Sequence, residues 1–127
     1  MNKKTAPTCP CGGISYAACC EPIHRGAPAS GAAPLMRSRY SAYVLKLEDH
    51  LLATWHPDIR PAMLDLADDD TKWLGLEIKR QQESGDTAVV EFVARYKVAG
   101  RAHRLHEISR FVREDERWFY VDGEFPQ

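Results

Sequence analysis

Cys9, Cys11, Cys19 and Cys20 are all the cysteines of a 127-residue chain, and they fall within twelve consecutive positions. Their order is C-x-C, a seven-residue connection, then C-C. Zinc takes four soft or borderline donors at tetrahedral corners, with thiolate sulfur about 2.3 Å away. A two-thiol knuckle at each end of a short connection supplies four such donors if the connection folds back. Gly12 and Gly13 permit a close backbone approach and positive φ there. Two other readings stay open. Crossed disulfides, Cys9–Cys20 with Cys11–Cys19, satisfy geometry, whereas bonding between neighbours strains the ring. Unrelated free thiols are the third option. The start, "MNKKTAPTCPCGG", has lysines without an apolar stretch behind them, so it does not read as a secretory signal. A reducing, cytoplasmic setting favours metal ligation over disulfides. The favoured expectation is one structural Zn²⁺ per chain, its four positions filled by cysteine with none open to water. Four thiolates around the ion carry a net −2, which Lys3, Lys4 and Arg25 could offset. His24 is a substitute donor, although a surface position is its plainer reading.

An apolar core cannot order this region, and a metal would supply that order. Residues 1–33 are rich in Ala, Gly, Pro and Ser, show neither helical nor strand periodicity, and close on "GAPASGAAP", a linker or extended wrap. The rest is ordinary for one soluble domain, at 44% hydrophobic and 28% charged residues. No window approaches eighteen uninterrupted apolar residues, which argues against a membrane-spanning helix. The net charge of −1 argues against a general nucleic-acid binder. A basic first third and an acidic segment at 48–70 give only a weak pointer to an anionic partner.

From Pro34 the pattern changes. Leu35, Met36, Tyr40, Tyr43, Val44 and Leu47 recur at the steps of one helix face. "LEDHLLATWHP" predicts a second short helix stopped before Pro57, and Pro61 opens a third helical turn through Leu66. Strands are predicted over 73–82, 87–98, 102–113 and 117–122, joined by "ESGD", "AGR" and "EDE". Helices followed by an antiparallel meander give an α+β order, with a boundary expected between 1–33 and 34–127.

"CPCGG…YAACC" resembles the SEC-C motif, a zinc module named for the carboxyl-terminal tail of the SecA translocation motor. That motif commonly has serine where Gly13 stands, and Tyr16 supplies its aromatic. "LMRSRYSAYVL", "HLLATWHP", "VEFVARY" and "HEISRFVREDERWFYVDG" are similar to the YchJ-like family of uncharacterised bacterial proteins, although "HERS" would be usual for "HEIS". The resemblance implies Cys9, Cys11, Cys19 and Cys20 as ligands. It also implies a nuclear-transport-factor-2-like fold, with amino-terminal helices on a curved, cone-like antiparallel sheet of four or more strands. It supplies no activity.

A cone could enclose a cavity, and Tyr40, Tyr43, Trp55, Tyr96, Trp118 and Tyr120 are available to line it, or simply to pack. Glu107 interrupts an apolar strand face and is a weak candidate for an acid/base group in a low-dielectric pocket. Pairing with Arg95 or Arg110, or a place in solvent, is its plainer fate. His56 is expected to cap a helix end, His106 and His103 to lie out of reach of Glu107, and Asp122 to serve a turn. No hydrolase, metalloprotease or nucleotide-binding signature is present, so nothing demands an enzyme. Two functions compete: a zinc-containing module docking a protein, ribosome or chaperone through its amino-terminal lobe, and a small-molecule binder or acid/base enzyme using the cavity. A homodimer through the curved sheet is a third expectation.

Overall fold

The computed structural model describes residues 8–126; Lys3 and Lys4, suggested above as counter-charges, lie outside them. The elements run α1 (Cys20–His24), α2 (Ala32–Leu45), α3 (Glu48–Ala53), a 3₁₀ turn (Leu66–Asp68), then β1 (Lys72–Ser84), β2 (Thr87–Val98), β3 (Arg101–Glu114) and β4 (Arg117–Glu124). The four strands form one antiparallel meander in the order β1-β2-β3-β4. This is the α+β architecture anticipated, with every predicted strand present.

Turn chemistry sets the registers. Val98 pairs with Arg101 and Glu114 with Arg117, leaving two-residue loops. Ala99 and Gly100, and likewise Asp115 and Glu116, all take positive φ, as a type I′ turn requires. Alternation then places Ala88, Val90, Phe92 and Ala94 of β2 on the buried face, opposite Phe111, Ser109, Glu107 and Leu105 of β3. Register shifts in β1, between Trp73 and Gly75 and between Ile78 and Arg80, bend the strand.

Helix α2 packs against β1, β2 and β4 and is buried on more than its apolar stripe. Leu35, Met36 and Tyr40 are buried as the periodicity predicts, but so are Ser38, Arg39 and Ser41. The reason is that α2 is covered twice, by the sheet on one side and by the cysteine lobe and α3 on the other. Its amino terminus reaches back to Ala32, where no side chain of Gly31 caps it. The carboxylate of Glu83, far away on β1, accepts the Ala32 N–H instead at 3.0 Å.

Three local expectations need correction. The segment after Pro61 forms no full helical turn; the Glu48 carboxylate takes the N–H groups of Leu64 and Leu66, and only a short 3₁₀ turn follows. The helix before Pro57 ends at Ala53, and Thr54–His56 pairs alongside β4 through Tyr120 N–H to Thr54 O and His56 N–H to Tyr120 O. His56 therefore caps no helix; its Nε2 meets Glu114 at 3.0 Å. The amino-terminal region is also not free of helix, since α1 follows directly from the Cys19–Cys20 pair.

Candidate metal centre and the cavity beside it

Two tight turns bring the thiols together. Gly12 N–H bonds Cys9 O at 2.9 Å and Cys9 N–H bonds Gly13 O at 3.1 Å, closing the first knuckle. Gly12 sits at φ 102°, open to glycine and strained for other residues. Gly13 matters for closeness: a Cβ there would stand 2.8 Å from the Cys19 sulfur. The second knuckle is a turn whose Cys19 and Glu21 N–H groups both bond Tyr16 O, delivering Cys20 into α1.

The four sulfurs lie within 4.8 Å of one another. The Cys11–Cys19 separation is 3.6 Å and Cys19–Cys20 is 3.9 Å. Disulfide sulfurs would stand about 2.05 Å apart, and all four thiols are free. A tetrahedron with sulfur about 2.3 Å from its centre has edges of about 3.8 Å, so these spacings fit one metal ion. Cys9, Cys11 and Cys20 are buried and Cys19 is half-buried.

Hydrogen bonding among the thiols and their burial set the acidities of three of them apart. The Cys20 hydrogen bond brings the Cys11 thiol down to about 4. Burial, reinforced by Cys11, pushes Cys19 up to about 11. The hydrogen bond to Cys11, then burial, pushes Cys20 up as well. A bound metal would favour the deprotonated form of every ligand.

Arg25 does not serve the cluster; it pairs with Glu21 at 3.1 Å on the surface. The cation that does approach is Arg37 of α2, whose Nη1 donates to Cys11 O at 3.2 Å. Ser41, also on α2, donates to the Cys20 sulfur at 3.3 Å and stands 3.6 Å from that of Cys9.

His24 is half-buried, and both of its ring nitrogens are engaged away from the thiols. Its Nε2 donates to Ser38 O at 2.8 Å, which leaves Nδ1 to accept from the Tyr16 hydroxyl at 2.7 Å. Ser38 Oγ donates to Leu35 O at 2.7 Å and accepts from His50 Nε2 at 3.0 Å. Burial foremost, then His24 and Arg39, bring His50 down to about 4.

On the sheet side of α2 lies a cavity of about 240 Å³. Tyr40, Tyr43, Trp55 and Tyr120 line it as anticipated. Tyr96 instead stacks on His103 near the end of the β2–β3 pair, and Trp118 faces a separate groove shared with His24 and His50. Glu107 points into the cavity, only 7% exposed. Its Oε2 accepts Ser109 Oγ at 2.8 Å and the Tyr120 hydroxyl at 2.9 Å. It pairs with neither expected arginine: Arg110 forms a two-pronged bond with Asp122, and Arg95 is exposed.

The bulge between Arg110 and Phe111 in the β3–β4 pairing explains this arrangement. It skips Val121, so Asp122 pairs outward with Arg110 while Gly123 falls opposite Ser109. Asp122 is thus a strand residue, neither turn nor pocket acid. A Cβ at Gly123 would overlap the Glu107 carboxylate, so only glycine leaves room for it. His106 faces away as expected and pairs with Glu91 at 2.7 Å.

Arg39, which the sequence does not single out as a site residue, completes the cavity. It is 3% exposed, donates from Nη1 to Leu51 O and Thr54 Oγ1, and lies over the rings of Tyr120 and Trp55. Burial lowers its pKa to about 10, which leaves it charged at neutral pH. One signal was present: Arg39 sits four residues from both Leu35 and Tyr43, on the apolar face of the helix.

Among the described residues no helix is long and apolar enough to cross a membrane. The family described as YchJ, middle NTF2-like domain, matches residues 31–123. A UPF0225 protein of Bordetella pertussis is 56% identical, covering 97% of this chain and 96% of its own. A UPF0225 protein of Methylibium petroleiphilum is also 56% identical, over 97% of this chain and 93% of its own. Among solved structures, a SEC-C motif containing protein from Rhodopseudomonas palustris superposes with a TM-score of 0.85 at 33% identity, covering 95% of this chain and all of its own. A second, from Psychrobacter arcticus, gives 0.80 at 29% identity, over 97% of this chain and 85% of its own.

Proposed function

This chain belongs to the YchJ-like, UPF0225 family, and on that premise we propose that it is a zinc-stabilised binding module. In this reading residues 1–33 form a SEC-C-type lobe on a nuclear-transport-factor-2-like domain of residues 34–127. Cys9, Cys11, Cys19 and Cys20 hold one Zn²⁺ per chain, and the lobe docks a macromolecular partner in the cytoplasm. The observation that carries the metal role is the mutual spacing of the four sulfurs within 4.8 Å. Four cysteine ligands complete a tetrahedral shell and leave no position for a substrate or a reactive water, so the metal is structural. Zinc suits an all-sulfur set better than the harder divalent ions do.

Docking through the lobe draws support from Ile14, which is 92% exposed on the connection between the two knuckles. A large apolar side chain held out by a rigid metal loop is a ready anchor for a protein surface.

Native mass spectrometry with and without chelator tests the metal: one zinc per chain is expected. A metal-free mass lower by two hydrogens per cysteine pair would replace zinc with disulfides. Ile14→Asp tests docking, because it should leave zinc content and melting temperature unchanged. Partners retained by the wild type should be lost from this variant, and identical partner sets would sink the docking role.

A further inference from the structure

The cone cavity holds two opposite charges that do not meet. Arg39 and Glu107 both line it, yet no nitrogen–oxygen pair between them comes within 4.0 Å. They are joined through Tyr120 instead. Its ring lies 4.6 Å below the Arg39 guanidinium carbon, and its hydroxyl donates to Glu107 Oε2.

Each charged group has spent only part of its hydrogen-bonding capacity on the protein. Arg39 uses Nη1 for Leu51 O and Thr54 Oγ1, and among the described residues nothing accepts from Nε or Nη2. Glu107 uses Oε2 for two hydroxyls, and nothing donates to Oε1. No fully buried side-chain nitrogen or oxygen among the described residues lacks a partner, so these free atoms reach accessible space. The space that both residues line is this cavity. A donor set and an acceptor are thus offered into one chamber.

Both are held in place before anything binds. Trp55 and Tyr120 flank the guanidinium at 5.1 and 4.6 Å, and the Gly123 backbone closes against the Glu107 carboxylate. Preorganised polar groups in an aromatic chamber add specificity because they need little reordering on binding. The remaining walls, Tyr43 and Trp73 among them, present flat aromatic surface.

The chemistry of the occupant follows from charge and size. An anion would answer Arg39 but meet Glu107, and a cation would answer Glu107 but meet Arg39. A hydrocarbon would displace solvent from both charges and offer neither a partner, which is costly. A neutral molecule with a carbonyl for Arg39 and an N–H for Glu107 Oε1 satisfies both. The volume, about 240 Å³, is below that of pockets for drug-sized ligands and suits a single ring of on the order of ten non-hydrogen atoms. We infer that the cone cavity binds a small, uncharged, planar ring amide between Arg39 and Glu107. This rests on no property of the metal lobe.

The test is an amide-resolved NMR titration of the full-length zinc-loaded protein with benzamide, run beside benzoate, benzylamine and toluene. These share one ring and differ in the group that would face the two charges. Benzamide should give saturable shifts at the Trp55 and Trp73 indole N–H signals and at the Glu107 and Ser109 amides. A millimolar Kd is expected for a ligand of about nine non-hydrogen atoms. Binding should be at least about tenfold tighter than for each of the other three, the factor for one charged partner left unmet. Glu107→Gln should weaken benzamide about tenfold with its spectrum otherwise retained. A tightest-binding benzoate would make the site an anion site, and a tightest-binding benzylamine a cation site; either overturns the inference. Equal affinity for all four, shifts only outside the cavity, or no saturable shift up to about 20 mM would also overturn it. The wild-type panel decides the matter even if the Glu107 variant does not fold.

Discussion

Ser41 donates a hydrogen bond to the sulfur of Cys20 at 3.3 Å and lies 3.6 Å from the sulfur of Cys9. One hydroxyl of α2 therefore touches a thiol from each knuckle of the lobe. The contact is fully buried, and Cys9, Cys11 and Cys20 belong to the same packed cluster as Leu35, Met36, Tyr40, Phe111 and Trp118. The lobe is a wall of the core, and α2 is the element that both sides share.

With zinc on the four thiols as proposed, removing that hydroxyl should loosen the metal as well as the fold. Ser41→Ala is expected to lower stability by about 1 kcal/mol, the net worth of a buried hydrogen bond. It should also speed zinc release to a colorimetric chelator. Thermal denaturation and the release rate measure the two effects separately, and an unchanged release rate would remove Ser41 from the site.

Chelation should be felt beyond the lobe. With the metal removed, hydrogen-exchange protection should fall in residues 8–30 and also along α2, because the thiols are part of what covers Leu35 and Tyr40. Protection in the β2–β3 pair should survive longest. Loss confined to the lobe would show that α2 does not depend on it.

Acid should destabilise the protein through His50. Its folded pKa is about 4, against about 6.5 in the unfolded chain. Above pH 6.5 neither state binds this proton, and the contribution is fully present. Between pH 6.5 and 4 the unfolded state binds it and the folded state does not, so stability falls as pH drops. Allowing for its partial exposure, the loss is about 2 kcal/mol across that window. His50→Gln, which can still donate to Ser38, should flatten the pH dependence of the melting temperature between these limits.

Gly123→Ala should displace the Glu107 carboxylate, since the new methyl would occupy its place. The expected loss is about 2–3 kcal/mol, as a buried carboxylate gives up its hydroxyl partners. Tyr120→Phe, which removes one of those partners and almost no volume, should cost about 1.5 kcal/mol. Chemical denaturation of both variants checks the order. Gly123→Ala milder than Tyr120→Phe would contradict the close approach described here.

What was legible in the sequence was local. The spacing of Cys9, Cys11, Cys19 and Cys20 predicts one cluster because a short connection can only fold back on itself. The strands were legible because alternation and turn residues act over a few positions, and "AGR" and "EDE" end their strands where the loops of the sheet lie. The third helical turn failed for the opposite reason: Glu48, thirteen residues before Pro61, took the backbone donors of the Leu64–Leu66 segment.

Periodicity assigns a residue to a face but not to a neighbour. It placed Glu107 on the inward face of β3, and Arg39 stood on the apolar face of α2. That Glu107 meets Tyr120 and not Arg110 depended on a single skipped residue, Val121, in the pairing of β3 with β4. That Arg39 remains charged in the interior depended on Leu51 of α3, on Thr54 just after it, and on two rings from distant segments. The thiol cluster, the α+β order and the inward faces are written into the chain locally, since each is set by bonding and sterics within a few residues. The tertiary structure alone decided which buried polar groups answer one another, because those partners meet only when elements far apart in the chain pack together.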